Sequence, residues 1–522
     1  MNNRSLHRGA WWACASGFLL ALAYPRADLG LVALAALAPF LLSLQEVTPA
    51  SALWRGYLCG FAFFASLLDW IPRVMRLYGG LPLPLAWLIF LFFVFYLATY
   101  VALFALLVSA SSRRLGALSL AAAPVAWVAL EIARGRLLTG FPWGLLGYTQ
   151  YRNIPLLQAA AWGGIYAVSF LVLAANAGLA LLLLRPITPR QRIVGAALIL
   201  LVVLVYAGGA VALRGPERRP PGEAIPVAAI QANVAQDRKW TPGGEPQILS
   251  DLVRLTRQAS GARIVVWPES SSPFSFRRPA PGGGSGITIE TDAAYVSVVT
   301  DLARALDATL IVGSVDYAAS GGALRAYNSA FAVGPDGSLL ASYDKIHLVP
   351  FGEYVPLHRL LFFVDRMARG AIADFAPGTR FAPLPTDAGR AATFICYEAI
   401  FPELVRRIAN EDAAFLVNIT NDAWFGKSSA PGQHLAMAAV RAVENRRFMV
   451  RAANTGISAI IDPYGRILAR TPLMEAAVLR GVLQPRADRT PYARGGDAFA
   501  WGCAILTLLH GAALRAAFLR RG

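Results

Sequence analysis

Seven apolar runs fill most of the first 215 residues: Trp11 to Tyr24, Leu29 to Leu44, Ala52 to Leu68, Leu83 to Ala110, Leu115 to Leu130, Leu156 to Leu184 and Ile193 to Leu213. An eighth, Ala498 to Leu514, lies near the end of the chain. Most approach the ~20 residues a helix needs to cross ~30 Å of hydrocarbon. In lipid a backbone must satisfy its own N–H and C=O groups, so runs of this kind predict helices rather than open strands. The composition agrees, with 56% hydrophobic and 15% charged residues, against roughly 45–50% and about 25% in soluble domains. The expectation is a multi-span α-helical membrane domain over 1–215, with about seven transmembrane helices, and a C-terminal transmembrane helix with a cytoplasmic tail over 496–522. The runs Leu29 to Leu44 and Leu115 to Leu130 are short, which leaves their boundaries open. The Trp11 run resembles a signal peptide, but another span follows it instead of a small-residue cleavage site and polar sequence.

The net charge is +17, yet the basic residues sit at the ends of apolar runs rather than on one basic face, a pattern for a membrane and not for nucleic acid. With a cytoplasmic N-terminus, the inner short loops carry Arg4, Arg8, Arg55, Arg113, Arg114, Arg185, Arg190, Arg192, Arg515, Arg520 and Arg521. The outer ones carry Arg26, Arg73, Arg76, Arg134 and Arg136. Eleven against five favours that orientation. Residues 222–490 then face outward and both termini are cytoplasmic.

At Gly222 the composition shifts. Short apolar strands recur at Ile225 to Ile230, Ile264 to Trp267, Thr309 to Val315, Phe331 to Val333, Ala391 to Ile395, Phe415 to Ile419, Phe448 to Ala452 and Ser458 to Ile461. Helical patterns such as Ile248, Leu252 and Leu255 fall between them. Pro335-Asp336-Gly337 and Asp462-Pro463-Tyr464-Gly465 read as hairpin turns. Strands alternating with helices, plus hairpins, predict a layered α/β domain over 222–490.

Three residues in that region carry chemistry. Glu269 follows a buried strand and a proline that forbids further pairing, although an ordinary loop glutamate would look the same. Lys345 ends a hairpin strand in a chain that otherwise writes positive charge as arginine; only Lys239 and Lys427 share its rarity, and rarity alone does not choose among the three. An ammonium is a compact charge that can aim at one developing oxyanion. Cys396 stands at the end of an apolar strand, before a helix start at Pro402, where a helix N-terminus and a nearby cation would favour thiolate; a buried inert cysteine is the alternative. Cys14, Cys59, Cys396 and Cys503 are too few and too separated for a disulfide framework or a metal site.

Taken together, Val266-Trp267-Pro268-Glu269, Tyr343-Asp344-Lys345-Ile346-His347-Leu348 with Pro350-Phe351-Gly352-Glu353, and Ile395-Cys396-Tyr397-Glu398 resemble the nitrilase superfamily. That resemblance implies an αββα sandwich with a catalytic Glu269, Lys345 and Cys396. With the apolar runs and Gly140-Phe141-Pro142-Trp143-Gly144, the whole chain resembles the membrane-embedded apolipoprotein N-acyltransferase branch of that superfamily. The resemblance implies a multi-pass protein of the bacterial inner membrane with a periplasmic catalytic domain. It also implies acyl transfer, through a Cys396 thioester, from a phospholipid such as phosphatidylethanolamine to the α-amino group of a diacylglyceryl-cysteine apolipoprotein. Glu353, Tyr397 and Glu398 would support the site. Gln231-Ala232-Asn233-Val234 with Lys239-Trp240 resembles the family's first loop, which makes Trp240 a lipid-contact candidate. Phe362 and Phe363 are others, on an arm from Tyr354 to Pro377 that could dip into the outer leaflet. No metal or cofactor is expected, and nothing demands more than a monomer. A membrane-tethered amidase and a transporter with a non-catalytic nitrilase-like domain stay open as alternatives.

Overall fold

The computed structural model describes residues 3–214, 223–239, 243–272, 276, 293–320, 323–354 and 375–519. The chain forms two compact units: Met1–Arg73, Pro82–Glu217 and Thr490–Gly522 in one, Val74–Leu81 and Arg218–Arg489 in the other.

The first unit is helical. Among the described residues, the helices long and apolar enough to cross a membrane are Leu83–Leu115, Ala117–Arg134, Ala160–Leu183, Pro189–Ala212 and Ala498–Ala516. The pair Pro49–Leu67 and Ile71–Leu77, bent by 50°, adds a sixth if it forms one span. The Trp11 run lies in a helix, Asn3–Leu22. The Leu29 to Leu44 run is divided into three short helical pieces, Gly30–Val32, Ala33–Ala36 and Ala38–Ser43. Pro39 is the physical reason: it has no N–H and its ring opposes the carbonyl four residues back. Buried Asn176 takes over the disturbed hydrogen bonding, accepting from the Leu37 N–H at 2.7 Å and donating to the Ala33 carbonyl at 2.8 Å. Such a side chain satisfies backbone groups for which lipid has no partner.

Two arginines read as loop charges are helical and buried. Arg55, in Pro49–Leu67, donates to the Ser43 carbonyl. Arg134 ends Ala123–Arg134 and donates to the carbonyls of Phe141 at 2.9 Å, Trp143 at 2.6 Å and Gly144 at 3.3 Å. The Gly140 to Gly144 motif is thereby folded around a guanidinium, whose fork of five donors suits several carbonyls at once. Close helix approach needs small residues: a Cβ at Gly56 would stand 2.5 Å from the Ala102 Cα.

Among the described residues, the second unit holds twelve strands: β1 (Ile225–Gln231), β2 (Ile264–Val266), β3 (Thr309–Ser320), β4 (Ala323–Val333), β5 (Leu339–Asp344), β6 (Leu384–Thr386), β7 (Gly389–Ile395), β8 (Ala413–Thr420), β9 (Met449–Ala453), β10 (Ala459–Ile461), β11 (Ile467–Arg470) and β12 (Ala477–Leu483). They form two six-stranded sheets, ordered β12-β1-β2-β3-β4-β5 and β11-β10-β9-β8-β7-β6. Each has a parallel centre, β1-β2-β3 and β7-β8-β9, flanked by antiparallel strands. The parallel strands are buried on both faces, which is why they read as unbroken apolar runs.

On β1, Ala228 and Ile230 join the outer core with Ile248, Leu252 and Leu255 of helix Glu245–Arg257 and with Val299 and Leu302 of helix Ala293–Leu306. The alternate residues Val227 and Ala229 are equally buried, and the sheets contact each other through β1 and β9. Helices Pro402–Asn410 and Ala430–Asn445 pack together, the former against β7 and β8 of the second sheet. The result is the αββα sandwich. Both expected hairpin turns form, with Gly337 and Gly465 at positive φ of 79° and 87°.

Candidate active site

Parallel strands deliver side chains at their C-terminal ends, and the site gathers there. Glu269 lies just beyond β2, Cys396 directly after β7, Asn421 directly after β8 and Asn454 directly after β9; Lys345 directly follows β5. The Glu269 approach is tightly built. Trp267 is fully buried, its indole N–H donating to Thr256 Oγ1 at 2.9 Å, and a Cβ at Gly313 of β3 would meet the Pro268 carbonyl at 2.2 Å. Only glycine lets β3 pass that close.

Glu269, Lys345 and Glu353 form one buried cluster. Glu269 Oε2 accepts from the Asn421 main-chain N–H at 2.7 Å, and Oε1 accepts from Asn328 Nδ2 at 2.7 Å. Lys345 Nζ lies 3.4 Å from Glu269 Oε1 and 2.9 Å from Glu353. Asn328 also donates to Glu353 Oε1 at 2.8 Å, so one amide spans both carboxylates. Glu353 Oε2 accepts from the Val349 N–H at 2.8 Å, which ties the loop after Lys345 to its ammonium. Burial alone would strip the Lys345 proton, but Glu353 and then Glu269 outweigh it and hold the group charged, above the ordinary lysine range.

Cys396 adopts a φ of +51°, a left-handed conformation that costs a non-glycine residue roughly 1–2 kcal/mol. The elbow is held from both sides: the Ile395 N–H donates to Glu398 Oε2 at 2.7 Å, and the Cys396 carbonyl lies 2.9 Å from His434 Nε2. The thiol is buried. Burial, then the Glu269 charge, push it above the usual thiol range, with Lys345 pulling the other way. The expected helix does begin at Pro402, but a five-residue 3-10 turn, Cys396–Ile400, separates Cys396 from its N-terminus, and burial prevails over it. A thiol of this kind would need a base in order to act as a nucleophile.

The supporting residues separate into distinct roles. Glu398 is fully buried; its Oε1 accepts from Tyr343 Oη at 2.9 Å, the Ile346 N–H at 2.7 Å and the His347 N–H at 3.1 Å. It therefore locks the lysine loop to the cysteine elbow. Burial pushes its carboxyl up to about 7, against those donors and the Lys345 charge. Tyr397 packs edge-on against Phe401, ring centroids 5.2 Å apart, and near the His347 ring at 5.8 Å, forming a wall. Lys239 is buried, with Nζ donating to the Glu269 main-chain oxygen at 3.1 Å; desolvation brings it down to about 8 despite Glu269 and Cys396. Trp240, Phe362 and Phe363 lie outside the described residues. The two described ends of the Tyr354 to Pro377 arm meet at Glu353: the Phe351 N–H donates to the Tyr354 carbonyl at 2.8 Å and the Phe375 N–H to the Glu353 carbonyl at 3.0 Å.

Sequence reading passed over Asn328, Asn421 and Asn454. Their signal was a polar residue inside or at the end of an apolar strand, which any hydrogen-bonded strand position can produce.

His347 carries a pH prediction. Burial, then the Lys345 charge, lower its ring from 6.5 to about 4. Between those values the unfolded chain holds the extra proton, so stability fully present above 6.5 drains away as pH falls toward 4. A gap of that size corresponds to about 3 kcal/mol. The His347 ring packs against Phe401, centroids 3.8 Å apart and planes tilted by 34°, so His347→Phe keeps the packing without the titration. Melting curves in detergent should show wild type losing more stability than the variant over that window; parallel curves would refute the assignment.

The chain matches the carbon-nitrogen hydrolase family over residues 226–492 and the apolipoprotein N-acyltransferase N-terminal domain over 16–178. It is 42% identical to an apolipoprotein N-acyltransferase of Geobacter metallireducens over 94% of this chain and 92% of the relative. Proteins of that name from Azotobacter vinelandii and Pseudomonas aeruginosa are 39% and 36% identical, covering 95% and 92% of this chain and 93% and 91% of the relatives. A solved Saccharomyces cerevisiae member of branch 10 of the nitrilase superfamily, 19% identical, aligns over 52% of this chain and 93% of its own with a TM-score of 0.39. The chain belongs to the apolipoprotein N-acyltransferase family, and is an acyltransferase of lipoprotein N-acylation with a nitrilase-like fold and membrane-compatible apolar helices.

Proposed function

We propose that the protein transfers a fatty acyl chain from a phospholipid, with phosphatidylethanolamine as the assigned donor, to the α-amino group of a diacylglyceryl-cysteine apolipoprotein, in two steps through a Cys396 thioester. The observation that carries this reading is a buried thiol at a left-handed elbow, placed at the strand ends where a buried carboxylate and a buried ammonium lie 3.4 Å apart.

In the first step Glu269 takes the thiol proton as Sγ attacks the ester carbonyl carbon. Lys345 faces the developing oxyanion, a contribution commonly worth about 3 kcal/mol. The ester C–O bond breaks, and Glu269 returns the proton to the departing lysophospholipid oxygen. In the second step the neutral α-amine attacks the thioester carbon and Glu269 accepts its proton. The C–S bond breaks and the proton returns to Cys396. Glu353 keeps Lys345 charged, while Glu398 and Tyr397 set the loops around it. Trp240, Phe362 and Phe363 are assigned to lipid contact on their sequence alone.

The domain organisation we infer is a membrane part over 1–215 and 496–522 in the bacterial inner membrane, with 222–490 on the periplasmic side and both termini cytoplasmic. The loop arginine bias supports it, and removing Arg55 from the inner set and Arg134 from the outer leaves that bias in place.

Purified protein in phosphatidylethanolamine micelles, given a synthetic diacylglyceryl-cysteine peptide, should yield N-acyl peptide and lysophospholipid in equal amounts by mass spectrometry. Free fatty acid with unmodified peptide would instead make water the acceptor and favour the tethered amidase.

A further inference from the structure

His434, on helix Ala430–Asn445, is buried directly behind the nucleophile. Its Nε2 lies 2.9 Å from the Cys396 main-chain oxygen. A carbonyl only accepts, so Nε2 carries a hydrogen in any protonation state that makes this bond. The other ring nitrogen, Nδ1, lies 3.0 Å from Asp422 Oδ1 and 3.2 Å from Arg451 Nη2. Arg451 in turn donates to Asp422 Oδ2 at 2.8 Å and to Asn418 Oδ1, and Thr420 Oγ1 donates to Asp422 Oδ1 at 2.9 Å. Burial works against the Asp422 charge, but Arg451 and His434 hold the carboxyl down to about 2, so it is an acceptor at every working pH. The Phe425 ring stands edge-on to the imidazole, centroids 6.3 Å apart. The ring is therefore fixed in place on both edges.

Asp422 is the residue after Asn421, whose main-chain N–H holds Glu269 at 2.7 Å. One turn at the end of β8 thus reaches the base directly and the nucleophile through His434.

We infer that His434 is a positioning residue: with its Nδ1 edge fixed by Arg451, which Asp422 holds in turn, it donates through Nε2–H to the Cys396 carbonyl and keeps the strained elbow, and with it the thiol, in register with Glu269. Without that bond the left-handed Cys396 backbone relaxes, and Sγ leaves the reach of both its base and the ester carbon. This rests on the thioester reading above.

The test is single-turnover acylation by phosphatidylethanolamine, followed by intact mass against time and expressed per folded molecule from gel filtration and melting curves. Displacement of a reacting group by about 1 Å is worth roughly 10²-fold, so His434→Leu should acylate about 10²-fold more slowly, with the half-saturating lipid concentration within about twofold. His434→Gln keeps an N–H donor and should recover about tenfold of that loss. A purely structural role would lower the melting temperature and leave the rate per folded molecule alone. A Leu variant within about threefold of wild type, or a Gln variant no faster than Leu, overturns the proposal. If His434→Leu does not fold, Asp422→Asn, which keeps the volume and removes the orienting charge, should slow acylation about tenfold; an unchanged rate overturns it equally. Wild type that forms no adduct overturns the thioester reading and this inference with it, whereas wild type and variants that acylate alike sink the inference alone.

Discussion

Incubated with phosphatidylethanolamine and no acceptor, the purified protein should gain the mass of one acyl chain, and Cys396→Ala should gain nothing. The adduct should be released by hydroxylamine, as a thioester is and an amide is not. Turnover should fall on the order of 10⁴-fold or more in the variant, because removing the nucleophile of a coupled catalytic group leaves only binding and oxyanion stabilisation. Stability should hardly change: alanine keeps the same left-handed backbone cost at this position, and only one sulfur leaves a site held by Glu398 and His434. The physical reason for expecting an isolable adduct is the burial of the elbow. Cys396 is 8% exposed, so water reaches the acylated sulfur poorly and the thioester waits for an amine. Wild type that stays at its original mass, while Cys396 still reacts with an alkylating probe, would remove the covalent step.

Replacing Lys345 should be the other severe change, for two separable reasons. Lys345→Met removes the group assigned to the oxyanion, typically worth about 10²–10³-fold in kcat. It also leaves Glu269 and Glu353 facing each other across Asn328 with no cation between them. Breaking a buried pair by deleting one partner costs ~3–5 kcal/mol. The single variant should therefore lose about 10³-fold or more in acylation and melt well below wild type. Lys345→Met with Glu353→Gln removes the charge conflict. It should regain part of the melting temperature and none of the activity. Recovery of acylation to within about tenfold of wild type would show that the lysine serves folding and not the oxyanion.

Much of this was legible beforehand because it follows from local rules. Apolar runs become helices wherever the backbone must satisfy itself, and Ile248, Leu252 and Leu255 mark one buried helix face. Asp462 to Gly465 turns because its residues have few other conformations. Glu269, Lys345 and Cys396 stand at the ends of apolar strands, and it was the motifs around them, resembling the nitrilase superfamily, that picked them out. What escaped was cooperative. Strand β12, Ala477–Leu483, alternates weakly and is fixed by its antiparallel partner β1, which is distant in sequence. Arg134 looked like a loop charge until the carbonyls of Phe141, Trp143 and Gly144 surrounded it.

The sequence by itself determined the two kinds of fold, the order of elements and which residue types stand at the strand ends, since hydrophobic period, turn chemistry and residue type act over a few positions. Only the tertiary structure decided that Cys396 is a buried thiol rather than an activated thiolate, that Glu353 is the nearer partner of Lys345, and that Asn328 and Asn421 hold the Glu269 side chain while His434 meets the Cys396 carbonyl. Burial and hydrogen bonding of that kind arise where distant strands end together, and no local pattern carries them.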